Sequence, residues 1–529
     1  MTVQTNVIAP FKTPTNTPLG FLFSSQSATA YLWIPPECTK VRGVIILGAN
    51  VPEQWFGGHP EIRAACAEQG LAILFSCPSA RLQAVDKADP KFLSNVDKCR
   101  LNVTFHQQIL NALAKESGYS ELSTVPWLPI GESMSLLLVS HLTQGAPEHC
   151  IAGIWVKDAP FGNATPSVPM LAACGTGAEW DFPKHDAFER WREMATTDWT
   201  NCLNRRAALP EWPGSLLIEA GSAHFSVTDP MIHLIAQYIR AACKARLANN
   251  GSPTLRSVDL KSGYVAGLTV PGATPLKPKP YADCTMQEKN LPWYFDKESA
   301  QAAYDLAQVN WNANTQIAAF SDPQGNPIPY NTRGIVDITP VMEADGITFT
   351  ANAVFLDKLP EGCVKAGTSL THVTGNPSVE WLRGPVIPLS NNQFQLALDR
   401  SANLSGGEQN PLLRTIAQGD SDHRLCVAPA QLHIPVNKTG KPQKISFESI
   451  ANQHIGTKEV QLHATSDSGL PVRFFVRAGP AVIQENKLFF KDVPAGGVTT
   501  IPVTVVAWQW GNAFTQTALP VEQTFRLMK

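Results

Sequence analysis

Residues 129–135 read Pro-Ile-Gly-Glu-Ser-Met-Ser and lie between an apolar stretch and the helix-like segment Leu136–Leu142. A strand, a sharp turn and a helix in that order would raise Ser133 to the tip of a nucleophile elbow. A serine alcohol is a poor nucleophile in water. Held on a tight turn, its oxygen faces a base on one side and has room for a substrate carbonyl on the other. The pattern Gly-x-Ser-x-Gly has glycine at its fifth position, where this chain has Ser135. A side chain that small still lets the turn close.

Such a serine needs a base and a carboxylate to orient it, and both follow in the chain. The apolar run Gly214-Ser-Leu-Leu-Ile-Glu219 reads as a buried strand. It ends in Ala-Gly-Ser-Ala-His224-Phe, ahead of an amphipathic helix over Val227–Leu247. His224 in that small-residue turn is the expected base. Between serine and histidine, the short run Pro166–Cys174 reads as another strand. It ends in Gly175-Thr-Gly-Ala-Glu-Trp-Asp181. Glu179 is favoured as the acid because it is nearer the strand end, where a carboxylate is held rigidly. Asp181 on the same turn is the alternative, and Asp158, after the strand Ile151–Lys157, is a more distant one. Nucleophile, acid and base in this order can pass a proton from serine to histidine while the carboxylate fixes the imidazole tautomer.

The developing oxyanion needs two backbone donors. The amide of Met134, directly after the nucleophile, is one. The other is expected from the loop after the strand Gly43–Asn50, in the region Ala49–Val51 with Asn50 at its centre. An ordinary turn role for Asn50 stays open.

The elements that would position these residues alternate. Strands are expected at Leu19–Ser24, Thr29–Ile34, Gly43–Leu47, Leu71–Ser76, Val125–Ile130, Ile151–Val156, Pro169–Cys174 and Ser215–Ile218. Helices are expected at Pro60–Gln69, Val103–Lys115, Met134–Thr143 and Phe188–Arg205. This alternation predicts a mostly parallel sheet with helices on both faces, whose ligands sit beyond the carboxyl ends of its strands. The Pro-rich stretch 271–280 reads as a stiff linker. After it comes one helix at Lys297–Gln308, then short alternating runs with Gly/Pro turns, as in β-sandwiches. The expected division is therefore 1–270 as an α/β catalytic domain, 271–280 as linker, 281–430 as a β-rich middle domain and 431–529 as a β-sandwich. No exact internal repeat is visible. Trp293, Trp311, Trp381, Trp508 and Trp510 suggest either sugar-stacking platforms or sandwich core.

Composition narrows the partners. The chain has 529 residues, a formal net charge of -2 and 16% charged residues, so no bulk attraction to nucleic acid or an acidic membrane is implied. No apolar run is long enough to span a bilayer. Low charge and 42 prolines suit a secreted, periplasmic or cell-surface protein, although the first residues carry no signal-peptide pattern. The 11 cysteines include no Cys-x-x-Cys, which argues against a zinc or thioredoxin-like site. Cys66, Cys77, Cys174 and Cys243 read as buried thiols, and disulfide pairing is unreadable. No metal or cofactor is expected.

With the elbow Gly131-Glu-Ser133-Met-Ser135 and the His224 turn in place, residues 1–270 resemble the α/β-hydrolase superfamily. Within it they are similar to bacterial esterases of the dienelactone-hydrolase and carbohydrate-esterase kind. The stretches Ala464–Val472 and Ala507-Trp-Gln-Trp-Gly511 resemble the immunoglobulin-like modules of bacterial surface and polysaccharide-acting proteins. The resemblance implies a serine ester hydrolase working through an acyl-enzyme, and the attached β domains point to acyl esters of a polysaccharide. The alternatives are a non-catalytic surface or binding protein on a retained hydrolase fold, or a peptidase or thioesterase on that fold.

Overall fold

The computed structural model describes every residue except 1–19, 26–27, 49, 51–52, 78–94, 177–189, 221, 223, 225–226, 250, 332–334, 362 and 391. Its N-terminal half is built on eight strands: β1 (Phe21–Ser25), β2 (Ala28–Trp33), β3 (Gly43–Gly48), β4 (Leu71–Cys77), β5 (Trp127–Glu132), β6 (Gly153–Val156), β7 (Met170–Gly175) and β8 (Gly214–Glu219). They form one sheet in the order β1-β2-β4-β3-β5-β6-β7-β8. The pairings β1–β2 and β2–β4 are antiparallel, and from β4 through β8 every pairing is parallel. Parallel strands covered on both faces need continuous apolar runs. β3 (GVIILG), β5, β7 and β8 are buried at every position. This is a mostly parallel sheet in an α/β arrangement, and its eight strands are the eight the sequence predicts.

The helices start and stop for local reasons. α1 is the short Glu53–Gly58. In α2 (Pro60–Gln69), proline sits at the first helical positions and the His59 side chain accepts from the Glu61 amide; Gly70, at φ 68°, ends it. Proline there gives up a donor that has no helical partner, and glycine takes the left-handed cap without a Cβ clash. α3 (Asn95–Ser117) and α4 (Leu136–Gly145) follow. After α5 (Arg190–Ala208), α6 (Asp229–Arg246) is capped by Thr228, whose hydroxyl accepts from Met231 N. That cap contributes about 1 kcal/mol.

The Pro-rich stretch 271–280 is not a free spacer. Leu276–Pro280 is a strand, β10, paired with β9 (Tyr264–Gly267), which also pairs with β11 (Trp293–Tyr294). The Tyr294 hydroxyl donates to Leu216 O at 2.6 Å and Ser215 Oγ to Trp293 O at 2.5 Å, fixing this small sheet to β8. The helix α7 (Lys297–Leu306) buries Ala300 and Ala303 in the same core. Residues 281–306 therefore pack with the large sheet, although the β-rich middle domain was expected to begin at 281.

Beyond α7 the chain forms two units of nine strands. The first has a pair, Ala318–Ser321 with Asn352–Phe355. It also has a four-stranded sheet (Val336–Ile338, Cys426–Leu432, Leu412–Ala417, Ser378–Arg383) and a three-stranded one (Thr348–Thr350, Gln393–Leu396, Val386–Ser390). The second repeats that wiring strand for strand, from Ile445–Phe447 to Val521–Met528. In each, the second strand lies parallel to the last. Both also turn at a Gly-Pro step, Gly384 at φ 92° and Gly479 at φ 103°. Trp293, Trp381, Trp508 and Trp510 are all at most 5% exposed, so these four are core side chains and not sugar platforms.

Both units dock on the N-terminal α/β half. Asp492 accepts from Trp33 Nε1 at 3.1 Å and from Arg63 at 2.8 Å. Ala495 N donates to Pro36 O at 2.7 Å, and Val498 N to Ser117 O at 2.8 Å. The Arg400 guanidinium lies over the Tyr31 ring, and Arg192 Nε donates to Trp311 O at 2.5 Å. Ten cysteines are free thiols, with Cys66, Cys174 and Cys243 buried as expected; the Cys77 side chain lies outside the described residues. Among the described residues no helix is long and apolar enough to cross a membrane, and no cluster of metal-ligating side chains occurs.

Candidate active site

β5 ends at Glu132, and the chain turns through Ser133–Ser135 into α4. Ser133 has φ 51°. A non-glycine residue held there costs about 1–3 kcal/mol, and the turn closes only because its neighbours are small. A Cβ on Gly131 would stand 2.3 Å from Ser135 O, and one on Gly48 of β3 would stand 3.0 Å from Ser135 Oγ. Ser135 is buried, filling the space between β3 and the turn where the five-residue pattern has glycine. The Met134 side chain is exposed, and its amide follows the serine directly.

His224 lies past the carboxyl end of β8. Its Nε2 is 3.4 Å from Oε1 of Glu132, the residue just before Ser133. Burial, and then the positive charge of Lys157, lower its pKa to about 3, so the imidazole is neutral at ordinary pH. Lys157 itself sits at φ 67° after β6 and pairs with Glu219 at the end of β8, 3.0 Å away, both side chains fully buried. Lys157 also donates to Ser222, and Thr228 donates to Glu219. This network brackets the turn that carries His224. Removing one member of a buried ion pair costs about 3–5 kcal/mol.

A second network lies on the other side of the serine. Glu132 and Glu53 are both fully buried. Glu53 Oε1 accepts from the Glu132 amide at 2.9 Å, and its Oε2 from the Asn50 amide at 3.0 Å. Asn50 Nδ2 donates to Glu132 Oε2 at 2.6 Å and to Glu132 O at 3.1 Å. Burial raises the Glu53 pKa to about 7, against the opposing pull of the Glu132 and Asn50 amides and the Ser135 side chain. The expected role of Asn50 is corrected here. Its amide, anticipated as the second oxyanion donor, donates instead to the buried Glu53 carboxylate three residues on. Ala49 and Val51 lie outside the described residues.

Glu179 and Asp181, the expected acids, also lie outside the described residues. They follow β7, the strand between β6 and β8. Asp158 is exposed, and its Oδ1 accepts from the adjacent Ala159 amide at 2.7 Å. His233 is on the exposed face of α6, 3.0 Å from Glu61 and away from the turn. Sequence reasoning missed Glu53, Glu132 and Lys157. Glu132 was visible as the x of the elbow pattern, but nothing in the spacing marked it as a partner of His224.

No protein-family model matches this chain, and no curated protein matches it. Solved structures similar to it include a siderophore hydrolase from Aspergillus nidulans, 13% identical, covering 41% of this chain and 92% of its own (TM-score 0.28). A dienelactone hydrolase from Anabaena variabilis is 14% identical over 44% of this chain and 100% of its own (TM-score 0.26). A CIB-like hydrolase from Thermoplasma acidophilum is 11% identical over 42% of this chain and 95% of its own (TM-score 0.27).

Proposed function

We propose that this chain is a serine carboxylic-ester hydrolase. The observation that carries the reading is Ser133 at φ 51° on the turn between β5 and α4, a strained position of the kind that persists where the surrounding structure enforces it for function. His224, half-buried on the turn beyond β8, supports it. Ser133 Oγ attacks the ester carbonyl while His224 takes its proton. The Met134 amide stabilises the oxyanion, and Glu179, or Asp181 in its place, holds the imidazole and the imidazolium that forms. His224 returns the proton to the leaving alcohol. Water activated by the same imidazole then releases the acid from the acyl-enzyme.

A fluorophosphonate probe should label the wild-type protein and leave Ser133→Ala unlabelled. Equal labelling of both would move the nucleophile elsewhere. A panel of acetyl, feruloyl and methyl-glucuronoyl esters then identifies the acyl group. The finer reading, an acyl ester of a polysaccharide acted on outside the cytoplasm by an enzyme with immunoglobulin-like β units, rests on the β-rich half of the chain; the four buried tryptophans give it no stacking platform. A second reading, a binding protein on a retained hydrolase fold, is favoured by the engagement of the Asn50 amide with Glu53. Absence of both labelling and ester turnover would select it.

A further inference from the structure

Arg383 is the last residue of the strand Ser378–Arg383 in the middle β unit. Its guanidinium donates to the carbonyl of Asn50 at 2.5 Å, crossing from that unit to the loop that leaves β3. The bond continues inward. Asn50 Nδ2 holds Glu132 Oε2 at 2.6 Å, and Glu132 Oε1 faces His224 Nε2 at 3.4 Å. A charge-assisted bond of this kind is stronger than a neutral one, and it grips a residue that donates to both buried carboxylates.

The second β unit supplies an internal control. Both strands pair with their neighbour in the same register and carry the same irregularity one residue before the end. Arg383 opposes Leu412 after that shift, and Ala478 opposes Thr504. Each is followed by Gly-Pro. Ala478 is 6% exposed. The strand, its bulge and its turn therefore form with alanine at the position of Arg383, and the arginine at that position answers to something outside the strand.

We propose that Arg383 is a positioning residue for the esterase site, clamping Asn50 so that Glu132 and the His224 turn keep their places. The middle β unit is then a working part of the catalytic machinery rather than a tethered module. This rests on the ester-hydrolase reading for its kinetic consequence, but not for its structural one.

The test uses the full-length chain with Arg383→Ala, Arg383→Gln and Arg383→Lys. With a soluble p-nitrophenyl ester, Arg383→Ala should lower kcat by about 10–100-fold, the scale of a small misplacement in a catalytic constellation, while KM moves less than about twofold. Lysine, which keeps one charged donor, should restore part of the loss, and glutamine should restore less. Hydrogen exchange of peptides spanning residues 43–58 should be faster in the alanine variant. A merely structural role would lower thermal stability without splitting kcat from KM. If the wild type turns over esters and Arg383→Ala does so equally, the proposal falls and the esterase reading stands. If the wild type neither labels nor hydrolyses, the esterase reading falls, and exchange decides alone: unchanged exchange at residues 43–58 overturns the clamp. Glutamine and lysine keep the test open should alanine fail to fold.

Discussion

The two β units share one wiring diagram and differ in what they touch. The first reaches the loop after β3 through Arg383, over Asn50. The second reaches β2 and α2 through Asp492, and α3 through the loop at Val498. Gly497 shows how close that second contact is: a Cβ there would stand 2.2 Å from Ser117 O, and its φ is 76°. One copy of the scaffold thus reaches the candidate site, besides lying on β2 through Arg400 over Tyr31, and the other leans on the frame behind it. A repeated fold carries no function of its own; the side chain at one strand end decides whether the copy is coupled to chemistry.

The widest expected effect fixes the scale for that contrast. Ser133→Ala should lower turnover on the order of a million-fold with the fold intact. His224→Ala should approach it, whereas His233→Ala, on the exposed face of α6, should leave rates unchanged; a steady-state assay on one ester separates the three. The reciprocal swap comes next. Ala478→Arg places an unpaired charge in a buried position of the second unit and should cost several kcal/mol of stability, read by thermal melting, while kcat of the surviving native fraction stays at the wild-type value. A fall in kcat would mean that the second unit also serves the site. Asp492→Ala removes an ion pair with Arg63 and the bond from Trp33. It should lower stability by about 1–3 kcal/mol and leave both kcat and KM alone, in contrast to Arg383→Ala.

The smallest effect is a pH dependence. Burial raises Glu53 from 4.5 to about 7, so the folded state binds its proton more tightly than the unfolded chain. Wild-type stability therefore falls as pH rises from about 4.5 to 7. Glu53→Gln should gain on the wild type in melting temperature over that window. His224, lowered from 6.5 to about 3, acts in the opposite sense, losing stability as pH falls below 6.5. The two slopes oppose each other where they overlap, and removing Glu53 should expose the histidine slope.

The large sheet was legible because buried parallel strands leave continuous apolar runs that polar turns interrupt. The positions of Ser133 and His224 just past strand ends were legible from the same runs. The carboxylate network was not, since Glu53 opens a helix of six residues, too short for periodicity, and Asn50 looked like a turn residue. The stretch 271–280 reads as a stiff linker because it is rich in proline, yet β10 within it pairs on one side only, where ladder donors lost to proline are dispensable. The duplication of the β units was hidden because the copies share little beyond the Gly-Pro step at 384–385 and 479–480. The tryptophans were ambiguous by nature: an aromatic on a sandwich strand reads the same whether it faces inward or outward.

The bond from Trp33 to Asp492 joins residues 459 positions apart. On a ribosome adding about 5–20 residues per second, Trp33 waits roughly half a minute to a minute and a half for its partner to be made. During that interval the first-made edge of the large sheet lacks the Asp492 contact, and loop closure over so long a span is slow. The antiparallel strands β1 and β2, the earliest described structure in the chain, therefore wait for nearly the whole of the chain to be made. Synthesis rate and chaperone supply, rather than final stability, should govern the yield of folded protein.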